Sequence, residues 1–460
     1  LQDQLGYLWV GVYNEGLARR DPSTGAWRRY RHDPRDPRSL PNDIVNCMYE
    51  DPSGTLWAGT NDGLARFDRP SGSFSVFRPS TRGGEGLSSE IVYSLAAPPG
   101  GGLWIGTFRT GLDLWDRASG RFAHFASKAG DRDSLSDDLV NALEYDSRGR
   151  LWVGTNKGLN VLEGGRFRRY FYDPSKSGGI SSDSVRTLFR DSRGAMWIGT
   201  AGGGLMRYEA ETDSFVSYTR RDGLPSNTVV RILEDGSGDL WIATQSGLVI
   251  YDRSAGRFRA MSVYDELGDR EFFSGAFSGS DGMLYFGSRD SIFRFDPGSF
   301  EFNSHVPSVA LTDVSAPGQA GLSAAEVSRS GRLDLPWRRN SVRFRFSALD
   351  FRDPERNRYS YRLEGLDAGW SEPSSLREVT YVDLPGGSYA FRVRASNNDG
   401  LWNAEGLSID LRVGYAPWRH PLAMAVYAAL AAALGYALAA WRLGKMLRSA
   451  LADREALRAR

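Results

Sequence analysis

Apolar and polar positions repeat at nearly equal intervals along the first 290 residues of the chain. The most regular part is a motif of the form Leu-Trp-x-Gly, with small variations. Its aromatic residues stand at positions 9, 57, 104, 152, 197, 241 and 285, and neighbouring copies lie 44 to 48 residues apart. The last copy has Tyr285 where the others have tryptophan. This interval predicts four short strands per repeat, as in a propeller blade, and is too long for leucine-rich or ankyrin repeats.

Each repeat also carries residues that favour turns between strands. Glycine stands three positions before the aromatic residue in all seven copies, and aspartate stands six positions before it in five. The pattern Asp-x-x-Gly is typical of a type I turn, and an apolar pair such as Val45 and Met48 predicts a strand before it. We therefore predict an all-β fold that begins with a seven-bladed β-propeller over residues 1–302. Because the sequence starts at the turn of the first copy, we expect the first blade to be truncated.

The repeat resembles that of the two component regulator propeller family. Residues 39–68, which run from Ser39-Leu-Pro-Asn through Leu56-Trp-Ala-Gly-Thr to Phe67-Asp68, match the family pattern almost throughout. The third copy departs from it, because Ala97-Pro-Pro stands where the others have the turn aspartate, and the seventh copy is degenerate.

The periodicity changes near residue 300. Residues 307–314 and 341–346 alternate as in strands, with a Ser/Ala/Gly loop expected between them, and about seven short strands over 303–415 predict an immunoglobulin- or fibronectin-like β-sandwich. This stretch resembles the Y_Y_Y domain that follows regulator propellers, with Tyr361, Tyr381 and Tyr389 at the signature positions.

A long apolar segment follows the sandwich. Residues 422–441 contain no charged side chain, and twenty residues suffice to cross a bilayer as a helix, so we predict one transmembrane helix over 421–441. A buried Ala-rich core helix is the alternative. Residues 442–460 are rich in arginine, which places this side in the cytoplasm by the positive-inside rule and predicts the start of a signalling helix. The charged helical sequence that continues to Arg460 leads us to expect that the chain is a fragment.

Composition narrows the possible functions. The 460 residues include 57 Lys+Arg and 56 Asp+Glu, and this balance makes nucleic-acid binding unlikely to be the role of the chain. One cysteine, Cys47, and four scattered histidines predict no metal site, and we expect no cofactor. No nucleotide-binding, protease or esterase motif is present, so we expect no catalytic residues here. The alternative roles of the repeated aspartates as acid and base, or of the tryptophans as cofactor platforms, are less favoured than turn and packing roles.

The residues that differ between repeats are the candidates for ligand binding. They lie in the turns between the second and third strands and in the long connections between blades. A mixture of aromatic and charged side chains there suits a polar ligand, either sugar-like or anionic. The predicted ligand-binding residues are Tyr13, Asn14, Phe108, Arg109, Asn156, Lys157, Gln245 and Arg289.

The resemblance implies a function for these parts together. It implies the extracytoplasmic ligand-sensing region of a bacterial two-component receptor, which lies in the periplasm and is anchored in the inner (cytoplasmic) membrane. A small-molecule or oligosaccharide ligand, a homodimer and relay through one helix to a cytoplasmic histidine kinase are expected. The alternatives are a diguanylate cyclase output, a membrane-tethered propeller enzyme acting on polysaccharide, and a protein-binding scaffold.

Overall fold

The computed structural model describes residues 1–80, 85–98, 101–261, 271–289, 291–300, 303–317 and 321–458. Two compact units divide the chain, Leu1–Ser304 and His305–Arg460. The boundary predicted from the sequence, between residues 302 and 303, lies two positions before the observed one.

The first unit is built from antiparallel sheets that follow one another along the chain. Within the described ranges there are seven sheets, which span residues 8–30, 45–77, 92–125, 140–170, 185–218, 229–260 and 272–295. Five of them have the predicted four strands, and the first and last have three. The innermost strands of the second to seventh sheets lie side by side in this order. The sheets are the blades of the predicted seven-bladed propeller, which the structure confirms.

The strands of the propeller, β1 to β26 in chain order, are Leu8–Val12, Gly16–Arg20, Trp27–Tyr30, Val45–Glu50, Leu56–Thr60, Gly63–Asp68, Ser73–Phe77, Val92–Ala96, Leu103–Thr107, Leu112–Trp115, Phe122–Phe125, Val140–Tyr145, Leu151–Thr155, Gly158–Glu163, Arg166–Tyr170, Val185–Arg190, Met196–Thr200, Leu205–Glu209, Ser214–Tyr218, Val229–Glu234, Leu240–Thr244, Gly247–Asp252, Arg257–Ala260, Phe272–Ser278, Leu284–Ser288 and Ile292–Phe295.

The motif tryptophans pack between neighbouring blades. Trp152 of the fourth blade lies 4.7 Å from the ring of Tyr208 in the fifth blade, edge to face, and is fully buried. The motif glycine permits a close approach of the innermost strands: a Cβ at Gly59 would lie 2.5 Å from the Cys47 Sγ and 2.6 Å from a Val92 methyl of the next blade. Burial of aromatic rings between blades is a large part of the hydrophobic stabilisation of such a ring.

The second unit contains the predicted β-sandwich. Its two sheets have the strand orders β27-β29-β31 and β28-β33-β32-β30. Phe344 and Phe391 stack between the sheets with ring centroids 4.1 Å apart. The strands β27 to β33 are Val309–Ser315, Arg332–Leu335, Val342–Ala348, Arg358–Glu364, Glu378–Tyr381, Gly387–Ser396 and Leu407–Val413.

The prediction of a loop between residues 315 and 340 was wrong in part. This stretch holds a short helix, α1 (Ala324–Ser330), and the strand β28. The Ser323 hydroxyl accepts from the Glu326 amide at the start of α1, and Gly331 ends the helix in the left-handed region, with φ 66°. Only Val327 of α1 is buried, so the helix has too little apolar periodicity to be predicted.

The signature tyrosines make hydrogen bonds and ring contacts within the sandwich. The Tyr381 hydroxyl donates to the Asp367 carboxylate at 3.0 Å, and the Tyr389 hydroxyl donates to the Pro385 carbonyl at 2.9 Å. Burial, and then the neighbouring Asp367 carboxylate, raise the pKa of Tyr381. Tyr361 packs against the ring of Phe346. These tyrosines therefore serve the structure of the sandwich.

The last helix, α2 (Pro421–Arg458), is longer than the predicted span. Its stretch Pro421–Ser449 is long and apolar enough to cross a membrane, and none of the tested window is buried against the rest of the described chain. A buried core helix, which was the alternative, would instead pack against the rest of the described chain. The helix continues without a break past residue 441, where the sequence predicted the change from span to signalling helix.

Candidate functional site

The turns between second and third strands share one face of the propeller with the connections that enter the innermost strands. The Gly63 amide donates to the Glu90 carbonyl at 2.6 Å, and the Gly158 amide donates to the Asp183 carbonyl at 2.7 Å. Glu90 and Asp183 both lie just before an innermost strand of the next blade. We call this surface, made of these turns and connections, the turn face.

The eight predicted ligand-binding residues all belong to the turn face. Tyr13 is 77% exposed, and Asn14 has a left-handed backbone, with φ 58°. The Arg109 guanidinium lies 4.7 Å from the centroid of the Phe108 ring. Of the eight residues, Phe108 and Arg109 therefore form a pair of aromatic ring and cation on the third blade.

Two further predicted residues are partly engaged with neighbours. The Asn156 side-chain oxygen accepts from the Ser184 hydroxyl at 3.0 Å, and the Lys157 ammonium lies 3.6 Å from the Asp137 carboxylate. Gln245 and Arg289 are exposed on the sixth and seventh blades. The eight residues are spread over five blades, and their role in binding stays a prediction.

A second set of side chains lies on the innermost strands, at the end next to the turn face. The innermost strands of the second to sixth blades each have a β-bulge there, which leaves one residue unpaired. The unpaired residues are Asn46, Tyr93, Asn141, Arg186 and Val230. The side-chain amide of Asn46 donates to the Val92 carbonyl on the next innermost strand, and that of Asn141 donates to the Val185 carbonyl. The bulge side chains therefore lie where neighbouring innermost strands meet, around the axis of the propeller.

Aromatic rings and cations are combined at this level. The Tyr93 ring packs edge to face on Phe108, with centroids 5.5 Å apart, and so joins the bulge position to the turn. Arg186 is exposed, and Phe273, on the innermost strand of the seventh blade, is 46% exposed. We call Tyr93, Phe108 and Arg109 of the third blade, together with Arg186 of the fifth blade and Phe273 of the seventh, the channel mouth.

A partly buried cation lies one residue deeper. The residues next to the bulge in the second to fifth blades are small, namely Cys47, Ser94, Ala142 and Thr187, whereas the sixth blade has Arg231. The Arg231 Nη1 lies 3.5 Å from the Thr187 hydroxyl. Burial lowers the pKa of Arg231, and burial raises the pKa of the Cys47 thiol to about 12, which the charge of Arg231 partly opposes. A guanidinium therefore lies on the inner side of the blades, close to the mouth.

Comparison with family models agrees with this architecture. The two component regulator propeller model matches residues 39–62, 134–157, 179–202 and 223–246, and the Y_Y_Y domain model matches residues 350–414. The chain carries a two component regulator propeller and a Y_Y_Y domain.

Individual relatives of the regulator propeller are known. Histidine kinase P4 of Formosa agariphila is 28% identical over 190 residues, which are 40% of this chain and 14% of that protein. The extracellular domain of the hybrid two component system BT3049 from B. thetaiotaomicron is 25% identical, with a TM-score of 0.60, and the match covers 90% of this chain and 55% of that one. The extracellular domain of BT4673 from the same organism is 22% identical, with a TM-score of 0.52 over 91% of this chain and 56% of that one, and shows the fold alone. The chain thus spans about half of the solved structures and a small part of the curated kinase.

The repeated aspartates of the regulator propeller have structural partners. In five blades one carboxylate oxygen accepts from the motif tryptophan Nε1 at 2.7 to 3.1 Å, in the pairs Asp3–Trp9, Asp51–Trp57, Asp146–Trp152, Asp191–Trp197 and Asp235–Trp241. The other oxygen accepts from amides of the turn, as that of Asp191 does from Ala195 at 2.8 Å. Both oxygens are therefore engaged, and the turn role predicted from the sequence accounts for these residues.

Sequence reasoning missed the deeper part of the site. Tyr93, Arg186 and Phe273 directly follow the recurring apolar position of the innermost strand, and Arg231 lies two residues after it, so the apolar spacing that predicted these strands does not single them out. The signal that could have found them is their departure from small or amide side chains at matched positions of the repeat. In the part of the chain that the structure describes, no three His, Cys, Asp or Glu side chains are grouped in a way that could hold a metal.

Proposed function

We propose that the chain is the extracytoplasmic ligand-sensing region of a membrane-bound bacterial signalling receptor, and that the propeller receives its ligand at the channel mouth. The observation that carries the proposal is the joining of Tyr93, Phe108 and Arg109 across a turn and an innermost strand of one blade. The similarity to the extracellular domain of a hybrid two component system supports the sensing role.

The chemistry of the mouth favours a polar ligand with an apolar face or a negative charge. Aromatic faces such as Phe108 and Phe273 offer a surface for the C–H face of a sugar ring, whereas Arg109 and Arg186 offer planar donors for carboxylate or hydroxyl oxygens. These residues belong to the third, fifth and seventh blades, so a ligand that reaches from one to the next contacts more than one blade.

Signalling requires that the ligand distinguish two arrangements of the receptor. A ligand that binds two dimer arrangements with equal affinity shifts neither, however tightly it binds. We infer a homodimer in which the sandwich of each protomer passes the preferred arrangement to its helix α2. Since α2 continues without a break from Pro421 to Arg458, a shift or rotation at its first turn is carried to its last.

The same helix supports a position for the chain in the cell. The exposed apolar stretch Pro421–Ser449 supports anchoring in the inner membrane. The arginines of residues 442–460 favour the cytoplasmic side for that end, which leaves the propeller and the sandwich in the periplasm. The similarity to Histidine kinase P4 supports a histidine kinase as the output domain of the longer protein.

A thermal-shift screen tests the ligand-sensing role. The 460-residue chain, held in detergent micelles, is heated with a panel of oligosaccharides and small metabolites. A ligand that binds the folded chain raises its melting temperature, and the rise grows with the logarithm of the ratio of ligand concentration to dissociation constant. We expect at least one compound class to raise it, and we expect the rise to be lost in Phe108→Ala and in Arg186→Gln.

Matched controls separate loss of binding from loss of folding. Phe351, which is 79% exposed, and Arg412 are surface residues of the sandwich, so Phe351→Ala and Arg412→Gln should keep the full ligand-dependent rise. A panel that leaves the melting temperature unchanged would contradict the proposal, as would a rise of equal size in the mouth variants and the controls.

A further inference from the structure

The outer edge of the fourth blade holds a groove that the sensing role does not use. Its volume is about 540 Å³, and it lies between β15, the outermost strand of the blade, and the connection that enters the blade. The Phe167 amide of β15 donates to the Asp133 carbonyl of the connection at 3.0 Å, which holds the two walls together. The lining residues are Arg132, Asp133, Glu163, Arg166, Phe167, Arg168, Arg169 and Phe171.

The second and fifth blades show that the fold does not need these arginines. In the second and fifth blades the same backbone bond joins the outermost strand to the entering connection, from Phe74 to Arg38 and from Phe215 to Gly178, both at 2.8 Å. The three positions around that phenylalanine are Ser73, Ser75 and Val76 in the second blade, and Ser214, Val216 and Ser217 in the fifth. In the fourth blade all three are arginine: Arg166, Arg168 and Arg169.

Some of this positive charge is not neutralised by the protein. Arg168 is paired with Asp213, and Arg166 lies 3.7 Å from the Asp133 carboxylate. Arg132 and Arg169 make no ion pair with any residue that the structure describes. Two guanidiniums thus face the groove with their donors available, and a guanidinium binds carboxylate or sulfate through two parallel hydrogen bonds.

Aromatic surface continues the groove. Phe167 is buried in its floor, whereas Phe171 and the following Tyr172 are each 49% exposed. The Arg169 guanidinium lies 5.8 Å from the centroid of the Phe171 ring, so a cation and an exposed ring face are side by side. A ligand made of linked sugar rings with acidic groups suits this arrangement, because a sugar ring can lie on an aromatic face while its acidic group binds the neighbouring guanidinium.

We propose that this groove binds a carboxylated or sulfated oligosaccharide segment, with its acidic groups on Arg132 and Arg169 and a sugar ring on Phe171. The carboxylates of Asp133 and Glu163 favour this ligand over an anionic bilayer, since an oligosaccharide carries many hydroxyl donors for these acceptors whereas lipid phosphates only accept hydrogen bonds. Three strand spacings separate β15 from the innermost strand β12, roughly 14 Å, so the groove is a site apart from the channel mouth.

Calorimetric titration of the whole chain in micelles of uncharged detergent tests the proposal. The probes are a heparin hexasaccharide, which is sulfated, a hexamer of galacturonic acid, which is carboxylated, and a neutral cello-hexaose. We expect one or both acidic probes to bind and the neutral probe to bind at least tenfold more weakly. In Arg132→Gln/Arg169→Gln the affinity for the acidic probe should fall at least tenfold, while the melting temperature without ligand stays the same.

The first blade supplies the matched control. Arg28 and Arg29 stand on β3, the outermost strand, at the positions that Arg168 and Arg169 hold on β15. The Arg28→Gln/Arg29→Gln variant removes the same charge and should change the affinity less than twofold. Equal losses in both double variants would overturn the proposal in favour of general charge attraction, and so would failure of both acidic probes to bind.

A vesicle experiment addresses the competing partner. Phosphatidylglycerol vesicles are titrated in place of the oligosaccharide, with phosphatidylcholine vesicles for comparison. We expect the Arg132→Gln/Arg169→Gln variant and the unchanged chain to associate equally with phosphatidylglycerol. A selective loss of vesicle association in that variant, with unchanged oligosaccharide affinity, would assign the groove to the membrane and overturn the proposal.

Discussion

The indole N–H of Trp104 donates to the hydroxyl of Tyr145 at 2.8 Å, across the boundary between the third and fourth blades. In five other blades the corresponding tryptophan donates to the turn aspartate of its own blade. The third blade has Ala97-Pro98 where that aspartate would stand, so the acceptor comes from the innermost strand of the next blade. The tryptophan N–H of the third blade thus keeps a hydrogen-bond acceptor, although a tyrosine supplies it in place of the aspartate.

Replacing Tyr145 tests how much this hydrogen bond contributes to the free energy of unfolding. Tyr145→Phe keeps the ring but leaves the Trp104 N–H, whose residue is 6% exposed, without its acceptor. A buried donor without a partner costs about 1–3 kcal/mol, so we expect the free energy of unfolding in denaturant to fall by about that amount. Tyr172→Phe, at a half-exposed ring, should change it by less than about 0.5 kcal/mol. Equal values for the two variants would contradict the role assigned to Tyr145.

The turn aspartates of the propeller also have partners in neighbouring blades. An arginine after the third strand reaches back to the turn aspartate of the preceding blade, as Arg69 does to Asp3 at 2.8 Å and Arg253 to Asp191 at 2.8 Å. The fourth blade follows the blade without an aspartate, and it has Gly164 at that arginine position. This contact between an arginine and the aspartate of the preceding blade, which we call the clasp, is therefore absent together with its target in the fourth blade, whereas the fifth and seventh blades lack the arginine (Ala210 and Pro297) although Asp146 and Asp235 remain.

Two aspartates allow the clasp to be measured against a matched control. Asp191 accepts from Trp197 and from Arg253, whereas Asp235 makes the same turn and the same kind of tryptophan bond, with Trp241, but no bond to any arginine that the structure describes. We expect Asp191→Asn to lower the free energy of unfolding by about 1.5–3 kcal/mol more than Asp235→Asn, because a charge-assisted bond is lost as well. A difference near zero would show that the clasp adds nothing to stability.

The turn aspartates also predict how stability depends on pH. Burial acts to raise the pKa values of Asp51 and Asp146, but hydrogen bonds from the turn and from the motif tryptophan, together with a nearby arginine, outweigh it and hold both below the ordinary value. The folded state therefore binds fewer protons than the unfolded state below about pH 5, and stability falls as the pH is lowered further. Melting temperatures between pH 6 and pH 3 should show this fall, and Asp51→Asn/Asp146→Asn should show a shallower one. An equally steep fall in the double variant would contradict the assignment.

Cys47 provides a reporter of unfolding. Because burial raises the pKa of its thiol to about 12, roughly one molecule in ten thousand carries the reactive thiolate at pH 8. We expect a disulfide reagent to leave the folded chain unlabelled over hours at pH 8 and to label one thiol per chain in guanidinium. Rapid labelling of the folded chain would show that this innermost strand is open to solvent.

The repeat made most of the fold predictable. A glycine, an aspartate and an aromatic residue at fixed spacing predict each turn and strand, because turn geometry and inter-blade packing require those residue types locally. The short helix at Ala324–Ser330 was not predictable, since a single buried residue, Val327, leaves no periodic pattern. The length of α2 was underestimated, because charged residues after 441 end the apolar segment without ending the helix.

The candidate site was predictable only at its surface. Turn residues such as Phe108 stand out as the variable positions of the repeat. Their partner Tyr93 depends on a bulge, and the groove beside Arg169 depends on how the entering connection runs along an outermost strand. Both are relationships between segments that are distant in the chain, and a single sequence does not encode them as a pattern.

The central claim, that occupancy of the propeller is relayed through α2, is tested most directly by a reporter fusion. The 460-residue chain is joined at Arg460 to the cytoplasmic kinase domains of a characterised sensor, in several helical phases, and transcription of the target promoter is measured in cells. We predict that a compound that raises the melting temperature changes the output several-fold in at least one phase, and that Phe108→Ala abolishes the change while Phe351→Ala keeps it. An output that stays constant in every phase with compounds that demonstrably bind would contradict the claim.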